Sequence, residues 1–268
     1  MVSGAATLNV WLAAERMADK IAEVLGDNLA AVYLYGSYTL GDFRLGWSDI
    51  DILVLTEASI SDEHAERLVG LRQEMSEESG DAIYRCFEGG MLSLNAFIGG
   101  LSDRVVYWGT SGQRIADSYS FDAFCRKELI ESGRLLRGRD IRTMLTLPDC
   151  SEIAENVRRH YDSIRKYSRL SGKSIYSFGW ILDIARGIYT LRTGKIISKT
   201  AAGEWALKNS IFDGNGALKT VLEVRKDPQK FYKSAELQEA AAELDPIIQR
   251  YADVLEDELR NFFDRMED

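Results

Sequence analysis

Two apolar runs, LAAVYLY at Leu29–Tyr35 and DIDILVL at Asp49–Leu55, are separated by the Gly-rich stretch Gly36–Ser48. Each run is short, rich in β-branched or aromatic residues and bounded by turn formers, so the spacing predicts two strands joined by a polar loop. Asp49 and Asp51 open the second run. In an extended strand they share a face, with Cβ atoms about 7 Å apart. Two carboxylates pointing the same way at the mouth of an apolar strand destabilise it unless water or a cation neutralises them. Hard oxygen donors so arranged suit Mg²⁺, which takes one or two carboxylates and completes its shell with phosphate oxygens and water. Gly36 and Ser37 stand where the chain turns out of the first strand. A glycine there lets backbone N–H groups approach an anion, and the serine adds a hydroxyl. A phosphate turn followed by metal ligands makes a nucleoside triphosphate site. Taken singly, Gly-Ser is a common turn dipeptide and Asp-Ile-Asp an ordinary strand edge.

The surrounding sequence is that of an α/β unit. Trp11, Ala14, Met17, Ile21, Val24 and Leu25 recur at helical spacing ahead of the first strand. Ser59 and Ser61 offer caps for a helix running to about Ser76. The segment from Ala82 to Ile98 is expected as strand, interrupted at Gly89 and Gly90. Beyond Phe121 the 3.6-residue period takes over. Pro148 and its polar neighbours mark the best boundary, giving units 1–147 and 148–268. Helices are expected near 151–170, 175–193, 198–209, 217–227 and 233–265. The predicted fold is a mixed sheet flanked by helices, followed by an all-helical bundle.

Charge narrows the partners. The 268 residues carry 33 Lys and Arg against 42 Asp and Glu, a net charge of -9. Such a surface disfavours nucleic acid and favours a cationic small molecule. Cys86, Cys125 and Cys150 lack metal-site spacing and are expected as free thiols in a reducing cytoplasm. Glu15, Arg16, Asp19 and Lys20 interrupt the first apolar segment, so a signal peptide is not expected, and no run approaches the roughly 20 apolar residues of a membrane span. The expectation is a cytoplasmic protein with no membrane partner.

The order strand, Gly36-Ser37, loop, Ser48-Asp49-Ile50-Asp51, strand resembles the nucleotidyltransferase superfamily, whose pattern is Gly-Ser, about ten residues, then Asp-x-Asp. The resemblance implies ATP as co-substrate, with Gly36, Ser37 and Ser48 at the nucleotide and a pair of Mg²⁺ ions on Asp49 and Asp51. It also implies a third acid on a neighbouring strand, and Glu88 in YRCFEGG is the candidate base for the acceptor hydroxyl. Ser93 or Asn95 facing the metals instead is the alternative. The run DIARGIYTLRTGKIISKTAAGEWAL, Asp183–Leu207, is similar to the helical domain of the aminoglycoside adenylyltransferases that modify streptomycin and spectinomycin, through Arg186, Thr193, Gly194, Lys199 and Trp205. Arg186 and Lys199 thereby take the role of phosphate contacts. Independently, Lys199 follows the N-cap candidate Ser198, where a cation opposes the helix dipole and an anion would relieve the conflict.

One departure bears on the acceptor. That family carries an acid and a histidine ten and seven residues before the phosphate-binding Arg, and those positions here are Tyr176 and Gly179. The resemblance thus implies AMP transfer to a hydroxylated small molecule of the aminoglycoside type. A lincosamide or other metabolite, a protein-modifying or antitoxin-type enzyme, and a non-catalytic nucleotide binder stand as alternatives, and ATP against GTP stays open. His64 and His160 are expected to be solvated. Trp11, Trp180 and Trp205 are expected in the core, and Trp47 and Trp108 at a cleft.

Overall fold

A computed structural model describes residues 4–109, 112–214 and 216–267. It divides into two units, one of Met1–Phe43 with Ser48–Leu147 and one of Arg44–Trp47 with Pro148–Asp268. The first contains, in chain order, α1 (Gly4–Leu25), β1 (Leu29–Tyr35), β2 (Ile50–Thr56), α2 (Asp62–Ser79), β3 (Phe87–Ser93), α3 (Leu94–Gly99), β4 (Val105–Gly109), β5 (Gly112–Ala116), α4 (Ala123–Ser132) and β6 (Arg134–Gly138). Its six strands are ordered β5-β4-β3-β2-β1-β6, with β2 and β3 parallel and the other neighbours antiparallel.

Both faces of this sheet are covered, which is why its central strands are apolar at nearly every position. Val32, Leu34, Ile50, Ile52, Val54, Phe87 and Met91 pack with Met17 and Ile21 of α1 and Leu68 and Leu71 of α2. The alternate residues Tyr33, Tyr35, Leu53, Leu55 and Leu92 pack on the opposite face with Leu94 of α3 and Leu129 of α4. Strand alternation therefore assigns Asp51 and Glu88 to that second face. Tyr33 ties it to the segment after β6, because its hydroxyl accepts from the Ile141 N–H at 2.6 Å and donates to Asp140 Oδ1 at 2.9 Å. Burial pushes this phenol up to about 12, so it remains a donor.

The expected strand over Ala82–Ile98 is corrected. Residues 82–86 form a 3₁₀ turn, β3 runs straight through both glycines, and Ser93 starts α3 by accepting from the Ala96 N–H. The glycines mark close approach and not a turn. A Cβ on Gly89 would fall 1.8 Å from the Ile52 carbonyl oxygen, and one on Gly90 2.5 Å from the Tyr119 ring. Trp108 is also corrected. It is fully buried, with its indole N–H donating to the Leu68 carbonyl at 2.9 Å, and is core rather than cleft lining.

The second unit comprises α5 (Cys150–Tyr167), α6 (Tyr176–Thr193), α7 (Lys199–Lys208), α8 (Gly216–Lys226), α9 (Pro228–Lys233), α10 (Ala235–Ala242) and α11 (Asp245–Glu267). α6 is its centre, burying Phe178, Ile181, Leu182, Ile184, Ala185, Ile188 and Leu191. Gly203 lets α7 close on it, since a Cβ there would meet Leu182 Cδ2 at 2.7 Å. The single helix expected over 233–265 is two helices, α10 and α11, with α9 ending at Lys233. Ser234 caps α10, and Pro246 in the first turn of α11 lacks the N–H that a continuous helix would need. Arg44–Trp47 belongs with this unit, where Tyr232 donates to the Gly46 carbonyl at 2.6 Å and the buried Arg225 lies 5.0 Å over the Trp47 ring.

Tyr33→Phe leaves the buried Ile141 N–H without its acceptor. It should lower the unfolding free energy by about 1–3 kcal/mol, seen as an earlier urea midpoint for the first unit; an unmoved midpoint would contradict this role.

Candidate active site

In the first unit the register brings the acids together. Asp51 stands opposite Tyr35 of β1 and opposite Glu88 of the parallel neighbour β3. Asp49 immediately precedes β2. Gly36 sits at φ +69°, and a Cβ on it would fall 2.1 Å from Asp51 Oδ2. Only glycine therefore lets this carboxylate lie against the turn. The Ser37 backbone N–H donates to Asp51, and the Ser37 hydroxyl donates to the Asp49 carbonyl at 3.4 Å. Gly36 and Ser37 thus organise the two aspartates, a function distinct from the phosphate contact expected of them. Ser48 lies partly buried just before Asp49.

Burial pushes the Asp51 carboxyl well above the usual range, and the charges of Glu128, Asp49 and Glu88 push it further. The Ser37 N–H acts against them by donating to the carboxylate. Tyr107 donates to Glu88 Oε1 at 2.9 Å, and burial followed by that hydrogen bond pushes its own phenol up to about 12. The Arg114 guanidinium covers the Tyr107 ring at 4.4 Å. The buried Arg72 donates to the Phe87 carbonyl at 2.7 Å, fixing the backbone just before Glu88. Ser93 is occupied as the α3 cap and Asn95 is exposed on α3.

Glu128 and Tyr107 escaped the sequence analysis. Glu128 lies in a helix whose local pattern has no link to the Asp-x-Asp segment, and only the packing of α4 on the second face brings its charge to Asp51. Among the described residues no three carboxylates, imidazoles or thiols converge tightly enough to hold a metal by themselves. The crowded oxygens nevertheless fit a hard divalent cation that completes its shell with phosphate and water.

In the second unit Arg186 of α6 and Lys199 of α7 are brought together by a residue that had no assigned role. Asp183, with 8% of its side chain exposed, accepts from Lys199 Nζ at 3.0 Å and has Arg186 at 3.5 Å. His160 of α5 reaches the same carboxylate, Nε2 to Oδ2 at 3.6 Å, which corrects its expected purely solvated role. Burial alone would raise the Asp183 carboxyl, yet Lys199, His160 and Arg186 overcome it and hold it well below the usual range. Ser198 caps α7 through the Ala201 N–H. Tyr176 is half exposed at the start of α6, and the space beside Gly179 has the Trp47 indole nitrogen 4.0 Å from where a Cβ would stand.

Two outcomes follow. The folded state makes Asp51 harder to ionise than the unfolded chain does, so Asp51→Asn should raise the melting temperature of the metal-free protein at neutral pH, by about 2–4 °C per kcal/mol relieved. Calorimetry should also show that Mg²⁺ stabilises the parent more than the variant; a lower melting temperature with an unchanged Mg²⁺ response would contradict this. Asp183 has the opposite sign. Its stabilisation is complete above the ordinary carboxylate value of about 3.9 and is lost progressively as pH falls from there towards its depressed folded value. Asp183→Asn should therefore be less stable at pH 7 and lose less stability on acidification below pH about 4, as read by denaturant midpoints across pH.

Residues 18–83 match the family described as Nucleotidyltransferase domain, and residues 151–244 match Aminoglycoside adenylyltransferase, C-terminal domain. No curated protein matches the chain significantly. Among solved structures it is similar to spectinomycin adenyltransferase AAD(9) from Enterococcus faecialis with ATP and spectinomycin, at 17% identity, covering 90% of this chain and 97% of that one, with a TM-score of 0.56. A toxin-antitoxin MntA-HpeT mutant matches at 16% identity over 56% of this chain and 91% of that one, but its TM-score of 0.29 carries no weight. Asp49 and Asp51 follow a Gly-Ser turn inside the first matched segment, and Arg186 and Lys199 lie inside the second. The chain thus carries a segment of the nucleotidyltransferase domain family followed by one of the aminoglycoside adenylyltransferase C-terminal domain family, and it is similar in fold to the spectinomycin adenyltransferase.

Proposed function

We propose that the protein transfers AMP from ATP to a hydroxyl of a small molecule of the aminoglycoside type, with residues 1–147 as the nucleotidyltransferase domain and 148–268 as its helical partner. The observation that carries this reading is the in-register pair Asp51 and Glu88 on one sheet face, with Asp49 beside them. Asp49 and Asp51 would hold Mg²⁺, which supplies charge neutralisation at the phosphates when bound. Gly36, Ser37 and Ser48 shape the turn at the nucleotide. Arg186 and Lys199 meet its phosphates. Glu88, held by the Tyr107 hydroxyl, takes the proton from the acceptor hydroxyl as that oxygen forms a bond to the α-phosphorus. The bond from the α-phosphorus to the bridging oxygen breaks in line, and pyrophosphate leaves with the electron pair.

The acceptor class draws support from the spectinomycin-bound neighbour, while the side chains of α6 favour a variation on it. Tyr176 and Gly179 put no acid where the aminoglycoside family has one, so a less cationic hydroxylated acceptor, such as a lincosamide or another metabolite, is the second reading. A lost charge-assisted hydrogen bond costs about 1–3 kcal/mol of acceptor binding.

Pyrophosphate release across a panel of aminoglycosides and lincosamides, with ATP or GTP and Mg²⁺, tests reaction and acceptor together. Turnover should need a hydroxylated acceptor and disappear in Asp49→Asn and Asp51→Asn proteins that keep their far-UV spectrum. Undiminished turnover in either variant would refute the assignment of the aspartates.

A further inference from the structure

We propose that His160 is a third anion-binding side chain beside Arg186 and Lys199, and that buried Asp183 is the positioning residue that aims all three at a pyrophosphate group. The identity of the anion rests on the transfer reading above; the convergence of the side chains does not. Three separate helices, α5, α6 and α7, each send one of these groups to a single carboxylate. Asp183 is sealed beneath them, with 8% of its side chain exposed, while Arg186, Lys199 and His160 keep 21%, 31% and 47% of theirs. The acid thus lies under the surface and the donors above it.

The bonding within the cluster leaves donor capacity for a ligand. Lys199 has three N–H donors and gives one to Asp183 at 3.0 Å. The His160 contact at 3.6 Å is longer than a normal hydrogen bond. Asp183 Oδ1 accepts no hydrogen bond, although Arg186 is 3.5 Å away. Lys199 and His160 are gathered without being locked. Arg186 and Lys199 are permanent cations, so positive charge stands directly above the buried acid. Ordering long side chains before the ligand arrives removes part of the entropy cost of binding. The Trp180 ring lies 6.2 Å from the imidazole, and its indole N–H is engaged by Ser171 Oγ at 2.7 Å, so this side of the cluster is also fixed.

The chain contains two histidines, so the imidazole signals of the full-length protein can be assigned with a single variant. Inorganic pyrophosphate, with and without Mg²⁺, is titrated into protein carrying ¹³C-labelled histidine, and His64→Gln identifies the other signal. The His160 resonances should shift saturably while those of His64 stay. His160→Gln should weaken pyrophosphate roughly threefold to tenfold, on the scale of one charge-assisted hydrogen bond. Asp183→Asn should weaken it about tenfold even though it adds net positive charge, with partial recovery in Asp183→Glu. A merely structural or through-space role would make Asp183→Asn bind equally well or tighter. That result, an unmoved His160 signal in both conditions, or unchanged affinity in His160→Gln each overturns the proposal. AMP transfer with an unresponsive His160 would remove this inference alone. A responsive His160 without transfer to any acceptor would leave the anion grip and remove the transfer reading.

Discussion

Negative charge crowded onto one face of the sheet is the constraint from which the first unit takes its shape. Asp51 and Glu88 are register partners on parallel strands, and Glu128 approaches from α4 on the same face. A fold selected for stability alone would not bury Asp51 among three other acids. Several features make sense as accommodation of that cluster. Gly36 keeps a Cβ out of the Asp51 carboxylate, the Ser37 N–H donates to it, and Tyr107 holds Glu88. Glycines at 89 and 90 let the strand that carries Glu88 run tightly against Ile52 and Tyr119. A bound cation would relieve carboxylates crowded in this way.

The second unit answers with the inverse arrangement, one buried acid surrounded by cations. Asp183 is stabilised where Asp51 is penalised, although burial acts on both in the same direction. The difference lies in the neighbours. Removing one partner from a buried charge group costs far more than the group is worth against an apolar substitute. Such an acid is therefore better understood as a device for orientation than as a source of net stability.

Much of this was legible in the sequence, for identifiable reasons. The strands around Gly36–Ser48 were visible because sheet burial on both faces leaves unbroken apolar runs, and the Asp-x-Asp spacing declares a shared face through strand alternation alone. Gly89 and Gly90 were misleading because a glycine that permits close approach looks identical to one that permits a turn. Trp108, between loop-like neighbours, gave no local sign of the burial supplied by α2. Glu128, Tyr107, His160 and Asp183 were missed for one reason: each acquires meaning only through a side chain on another element. Asp183 came nearest to being legible, since it stands three residues before Arg186 on one helix face.

The central claim is that the crowded carboxylates of the first unit form a divalent-cation site completed by a nucleotide. Electron paramagnetic resonance with Mn²⁺, in the presence of a non-hydrolysable ATP analogue, reads this without requiring an acceptor or turnover. The account predicts that free Mn²⁺ signal is lost on adding the parent protein, and that this loss disappears in a folded Asp49→Asn/Asp51→Asn double variant. Equal Mn²⁺ uptake by parent and double variant would contradict it.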